Sequence, residues 1–521
     1  MPLTRRTILA LIGATLASPA GARSSLELGP PSPFDGDWLV RHAKNLASQP
    51  FAEEPRPASA IVEELEYGPH QDIVQPIDTG LYANGPGDCP VTFFHLGRLF
   101  PKPVRMYSLV NGNARAVIYH KKLFDYPPDN PAARMPDGAG FAGFRVHDPR
   151  KSNAQAPGDW LAFLGASYFR ARGDLNQYGA SARGIAINTA TPQPEEFPDF
   201  RAFWIEPLNA DGQGRIFALL DGPSLTGAYR FDVSLHPESI VNVSCTLNLR
   251  KDVQRFGVAA LTSMFYYGKI NRFIGGDWRP CVHDSEGLAI WNGIGEQLWR
   301  PLNNPPRMTV SSFVDSGPRG FGLLQRARSF NDFEDGDNWF ERRPNVWVEP
   351  TSDWGQGAVQ LVEIPTDVEY GDNIAAFWVP REPAHGGSTH SFAYRLHWSG
   401  REHFPAGLAR CAATRMSKPW NADGTAYEQG RYIIVDFAGD ILADIDPNEA
   451  QIDLTIASRG VVPERTLKRH PTGDPRTWRL VLLVGTSGRD PIEARLVLRK
   501  GNRALTEIWL AQLHAGNLTP G

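Results

Sequence analysis

The sequence predicts an all-β fold in two domains, and three observations carry that expectation. Short apolar runs recur along the chain, separated by Pro, Gly and Asn. The 50 Gly and 44 Pro follow no three-residue period, which favours strands and turns over a fibre. Strand-like and helix-like segments do not alternate, which argues against a doubly wound parallel sheet. At 521 residues the chain exceeds one ordinary domain, and 41% hydrophobic content is enough for real cores.

The first 22 residues are read as an address. Thr4-Arg5-Arg6-Thr7-Ile8-Leu9 precedes an apolar run, Ala10 to Ala17, and then Ala20-Gly21-Ala22 offers a small-x-small cleavage pattern. Adjacent arginines point to twin-arginine export and hence to the periplasm. Removing residues 1–22 takes away two arginines and no acid, so the formal charge moves from -4 to -6. That balance argues against a nucleic-acid partner. No other run of about 18 apolar residues occurs, so no membrane insertion of the mature chain is expected. The cysteines at 89, 245, 281 and 411 form no CxxC pair, so zinc is not expected and buried free thiols are. No cofactor motif is present, and none is expected.

Taken in order, residues 23–33 have the Ser/Pro/Gly composition of a flexible segment. Asp37 is placed to cap a short helix through Ala47. Strand candidates follow at 91–96, 104–110, 116–119, 203–205, 216–220, 229–233 and 240–249, with a short helix expected around Val258 to Phe265. Pro380 to Ser388 has linker composition. Beyond it, alternating runs at 392–398, 432–437, 452–456, 478–484, 494–498 and 505–510 have the spacing of an immunoglobulin-like sandwich. The chain is therefore divided into residues 1–22, an N-terminal β domain over 23–384 and a C-terminal one over 385–521.

The stretch from Trp278 to Trp378 interleaves carboxylates, arginines and tryptophans. Aromatic rings suit the apolar faces of sugars, although large β cores need them as well. There is no GxSxG elbow, phosphate-binding loop or HExxH. Asp332-Phe333-Glu334-Asp335-Gly336-Asp337 lacks calcium-loop spacing and reads as a solvated acidic turn. Glycoside cleavage needs two carboxyl groups, one acting as acid and one as base or nucleophile. Asp284 sits in a strand-to-loop context and Asp372 starts an apolar strand, Ile374 to Trp378. Either also fits a turn or cap. Glu363, between Val362 and Ile364, points to a polar face, as a sugar ligand or an exposed strand residue. Arg343 before Pro344 suits an anchor for a carboxylate or hydroxyls, or a surface ion pair.

Several longer motifs occur in a fixed order. They include Phe93-Phe94-His95-Leu96-Gly97, Gly165-Ala166-Ser167-Tyr168-Phe169-Arg170, Val282-His283-Asp284-Ser285, Trp299-Arg300-Pro301-Leu302-Asn303-Asn304-Pro305, Leu361-Val362-Glu363-Ile364-Pro365 and Asp372-Asn373-Ile374. Through them the chain resembles the bacterial periplasmic glucan biosynthesis proteins of types G and D, over nearly the whole mature chain and closer to type D. The resemblance implies a large galactose-mutarotase-like β-sandwich followed by a small immunoglobulin-like one. It implies action on osmoregulated periplasmic glucans with a β-1,2-glucosyl backbone, by endo-hydrolysis or transglycosylation, the alternative being a non-catalytic glucan-binding protein. On the matching motifs Asp372 is then the general acid and Asp284 the base-side residue, linked by a relay of water and hydroxyls. Trp278, His283, Trp299, Phe340, Arg343, Glu363, Tyr168 and Arg170 are the expected glucan-binding residues. Relatives often carry Tyr where this chain has Phe340, and a missing phenol removes a donor for sugar or water. Family hydrolases complete their cleft with a loop from a partner subunit, which implies a homodimer; Lys418 to Gly424 is the candidate loop here.

Overall fold

The structure, a computed structural model, describes residues 26–150, 158–272, 277–417, 430–457, 464–485 and 491–514. The expected export signal and the Lys418 to Gly424 loop lie outside these residues. The described chain is nearly all sheet, as its composition predicts. It divides into two compact units, each assembled from separate pieces of chain. The first takes residues up to Leu261 with Val348–Gly357 and Phe377–Gly400; the second takes Thr262–Trp347, Ala358–Ala376 and the chain from Arg401. Pro380 to Ser388 therefore joins two strands, Ile374–Pro380 and Thr389–Ser399, and most of both belongs to the first unit.

In the first unit one sheet runs in the order Glu27–Pro33, Asn113–Ile118, Arg105–Val110, Asp199–Ile205, Gly214–Asp221, Leu225–Ser234, Ser239–Leu249, Thr389–Ser399. Its pairs are antiparallel except that between Arg105–Val110 and Asp199–Ile205. A second sheet contains Val91–His95, Phe141–His147, Asp159–Leu164, Tyr168–Ala171 and Ser181–Arg183. Aromatic rings join the two faces: Phe144 meets Phe203 at 5.0 Å, and Phe163 meets Phe231 at 5.1 Å, both edge to face. The helix Gly36–Ala47 buries Leu39 and Ala43 against Trp204, Phe217 and Ala228.

Three local expectations need correcting. The helix is capped by Asp35, whose carboxylate accepts the Trp38 N–H at 2.6 Å; Asp37 lies in the first turn, where a negative charge still suits the helix dipole. Residues 27–33 form an edge strand, a position where proline is tolerated because the missing N–H would face outward. The apolar run Val258 to Phe265 is not helical. It belongs to the strands Phe256–Ser263 and Phe265–Tyr267, and every residue of the longer strand is buried, so no alternation betrays it.

In the second unit a sheet runs in the order Gly320–Leu324, Gly287–Trp291, Gln297–Pro301, Ile508–Leu513, Ile492–Lys500, Gln451–Ile456. A separate sheet holds Arg410–Ser417, Gly430–Ala438, Thr477–Gly485 and Glu464–Arg469. Ile433, Val435, Phe437, Trp478, Leu480 and Leu482 share one core with Leu496, Trp509, Trp299 and Leu324. The C-terminal strands thus pack as a sandwich whose sheet continues, through the parallel pair Leu298 with Ile508, into strands before residue 330. All four cysteines are buried and free, and burial pushes the thiols of Cys89, Cys245 and Cys281 up to about 12. Among the described residues no helix is long and apolar enough to cross a membrane.

Candidate active site

The site grows from a short strand pair in the second unit. Phe265–Tyr267 lies antiparallel to Val282–His283, with Phe265 opposite His283 and the two rings stacked at 5.3 Å. The contact continues past the strand end. The Asp284 N–H donates to the Met264 carbonyl at 2.9 Å, and the Ser263 hydroxyl donates to that of Ser285 at 2.8 Å. From the other flank the Gln325 side-chain amide donates to the carbonyls of His283 and Phe340, at 3.3 Å each. Asp284, only 1% exposed, is held in a fixed direction by these bonds.

The Asp284 carboxylate pairs with the Arg343 guanidinium. Arg343 in turn lies over the Phe340 ring, 4.4 Å from its centroid, and Phe340 stacks on Phe333 at 5.7 Å. These two rings belong to a cluster with Met264, Tyr267, Cys281, Val282 and Ala327. An aromatic floor and a carboxylate partner together leave the guanidinium little freedom.

The other aspartate is tied to the same short strand from its far side. Asn373 accepts the Phe265 N–H at 2.8 Å through its side-chain carbonyl and donates its amide to the Phe265 carbonyl at 2.8 Å. Its backbone carbonyl accepts from Ile364 N at 2.8 Å. Phe265 is therefore gripped by the His283 segment on one side and by Asn373 on the other. Asp284 and Asp372 follow directly from those two grips, one buried and one exposed.

Arginine and asparagine residues of the ordered motifs hold the surroundings. Arg300 pairs with Glu363 at 2.9 Å, Asn303 N donates to Glu363 at 2.7 Å, and Asn304 donates to the carbonyls of Tyr266 and Thr366. Arg279 gathers three loops: its guanidinium bonds Asp277 at 2.6 Å, Asp335 at 2.9 Å and Glu369 at 2.5 Å. Glu369 lies three residues before Asp372, so this hub ties the Asp372 loop to the loop that follows Phe333. Burial pushes the Asp335 carboxyl up, but its bonds from Asn338 and Arg279 outweigh that and hold it below the usual carboxylate range.

Burial pushes the His283 imidazole down to about 3, and the charge of Lys269 acts in the same direction. The unfolded chain takes up this proton near pH 6.5, and the folded chain only near 3. The contribution to stability is therefore complete above pH 6.5 and falls as the pH drops through that interval. Replacing His283 by Gln is expected to flatten the acid loss of stability, by up to about 1.4 kcal/mol per pH unit. Denaturant midpoints between pH 7 and pH 4 check this; an equally steep loss in the variant would rule out His283 as a source.

Several expected site residues are found elsewhere or in other roles. Trp278 stands 70% exposed beside the Arg279 hub. Trp299 is a core residue, with the Arg326 guanidinium 3.6 Å above its ring and Glu402 and Glu507 behind. Glu363 is not an outward-pointing strand residue but fully buried, because its charge is met by Arg300, Asn303 and Thr309. His283 is buried, with its ring stacked on Phe265 and edge-on to Phe333. The acidic run is solvated only in part: Glu334 and Asp337 are exposed, but Asp335 is buried and accepts from Asp337 N and Asn338 N, while Asp332 pairs with Lys269. Tyr168 and Arg170 lie in the first unit, where Arg183 covers the Tyr168 ring at 4.8 Å and Arg170 covers Tyr178 at 5.1 Å. Arg279 and Asn373 carry more of the geometry than single-residue reasoning assigns them. Asp335 and Glu369, which bond Arg279, and Phe265, which bonds Asn373, lie far away in sequence, and only Asn373 sits in a motif that flags it.

The chain matches the family model described as "Periplasmic glucan biosynthesis protein, MdoG" over residues 34–513, and it belongs to that family. Among its relatives, it is 44% identical to "Glucans biosynthesis protein D 2" of Ralstonia nicotianae, covering 98% of each chain. It is 41% identical to "Glucans biosynthesis protein D" of Xanthomonas oryzae pv. oryzae, covering 93% of this chain and 91% of the relative. It is also 41% identical to the protein of the same name in Stenotrophomonas maltophilia, covering 96% and 93%.

Proposed function

We propose that this chain works in the periplasm in glucan biosynthesis and acts on the β-1,2-glucan backbone, by endo-hydrolysis or transglycosylation. Membership of the family and the names of the relatives support the role in glucan biosynthesis. The observation that carries the chemistry is the pair of aspartates suspended from one short strand, one buried against Arg343 and one exposed. Asp372, at the open end, donates the proton to the leaving glycosidic oxygen. Asp284, fixed by Arg343, takes the proton from the attacking water or sugar hydroxyl. The Arg279 hub positions the loop that carries Asp372, and Trp278 offers a ring to a sugar face.

One feature favours a second reading. Phe340 has a buried ring and no hydroxyl to pass a proton, which suits a glucan-binding protein that assists synthesis without cleaving. The purified mature chain is to be incubated with linear β-1,2-glucan, and its products resolved by size and by reducing ends. New reducing ends mean hydrolysis; a changed size distribution without new ends means transfer or cyclisation. Unchanged glucan after long incubation would overturn the enzyme reading and leave the binding one.

A further inference from the structure

We propose that Trp339 is an aromatic subsite for one glucosyl unit of the glucan, a role that rests on the substrate class proposed above. Trp339 has φ +50°, a left-handed backbone that a bulky residue rarely adopts. Such outliers persist where the surroundings hold them, and they collect at ligand sites. The hold is visible here. Asp335 accepts the N–H groups of Asp337 and Asn338 and the Asn338 side-chain amide, and Arg279 anchors Asp335 itself. The loop is thus fixed through Asp335, and Trp339 directly follows Asn338.

The indole is 37% exposed despite its size, and the Arg342 guanidinium lies 3.9 Å from its ring centroid. A ring clamped in this way keeps one orientation while it presents surface to solvent. Its neighbours face the chemistry. The Asn338 carbonyl accepts from Arg343 at 3.4 Å, and Arg343 holds Asp284. Through Asp335 and Arg279 the same loop reaches Glu369, three residues from Asp372. Trp339 is therefore carried by a loop bonded towards both aspartates. A guanidinium already on the ring disfavours a cationic ligand. The chemistry that fits is a neutral ring with an apolar C–H face, which a glucopyranose provides.

The test uses the mature chain carrying Asp372→Asn and titrates linear β-1,2-glucan calorimetrically. Adding Trp339→Ala, or Trp339→Asn, which tolerates the left-handed backbone, is expected to weaken binding about five- to tenfold. Trp339→Tyr is expected to stay within about twofold. Trp38→Ala, an exposed Trp of the first unit, is expected to change nothing. Binding as tight as the parent's in folded Ala and Asn variants would overturn the subsite, and so would an equal loss in Trp38→Ala. A parent that binds no β-1,2-glucan would instead overturn the substrate class, and the subsite with it.

Discussion

Asp372→Asn is expected to lower the rate of glucan cleavage or transfer by about 10³-fold or more while glucan binding persists. Asparagine keeps the size and most of the polarity of the side chain but has no proton to give at the leaving oxygen. The residue is exposed and outside any strand, so its replacement leaves the packing of the fold untouched. The neighbouring Asn373 bonds to Phe265 and Ile364, which position the segment, do not involve the Asp372 side chain. Rates of product formation at saturating glucan, with binding measured separately, check the prediction. A rate that survives within tenfold would assign the proton to another group.

Glu363→Ala is expected to be the most damaging substitution to stability, at about 3–5 kcal/mol. The carboxylate is fully buried, and its partner Arg300 is 3% exposed at the side chain. Burial raises the Glu363 carboxyl above its usual range even though Arg300 and Asn303 N pull it back. Removing the acid leaves a buried guanidinium without its counter-charge, a larger penalty than the net worth of the pair itself. Denaturant unfolding of the variant measures the loss. A sugar-contact role predicts the opposite pattern, weaker glucan binding with little change in stability, so one pair of measurements separates the two.

Legibility of the chain followed local rules. Strands such as Leu225–Ser234 and Thr389–Ser399 alternate buried and accessible positions over much of their length, and the sequence marks them. Phe256–Ser263 is buried on both faces and carries no period, so its apolar run reads equally well as a helix. The proline-rich segment 27–33 reads as flexible because an edge strand needs a partner, here Asn113–Ile118, that lies about eighty residues downstream. The site behaves in the same way. Asp284, Asp372 and Arg343 stand out through ordered motifs. Glu363 is buried against Arg300, and Trp299 lies in an apolar core with Arg326 over its ring, and no spacing reveals those partners. Arg279 looks like any surface arginine until Asp277, Asp335 and Glu369 converge on it.

The strand Gln297–Pro301 is hydrogen-bonded on one side to Gly287–Trp291 and on the other to Ile508–Leu513, a segment from the far end of the chain. Gly287–Trp291 begins three residues after Asp284. Ile508–Leu513 is thus a keystone for the unit that carries Asp284 rather than an appendage to it. A chain still emerging from the ribosome cannot complete the wall behind Asp284 until Ile508–Leu513 is made. Assembly of that wall is tied to a segment far downstream in the sequence, and a copy of the chain that lacks Ile508–Leu513 leaves this edge of Gln297–Pro301 unpaired.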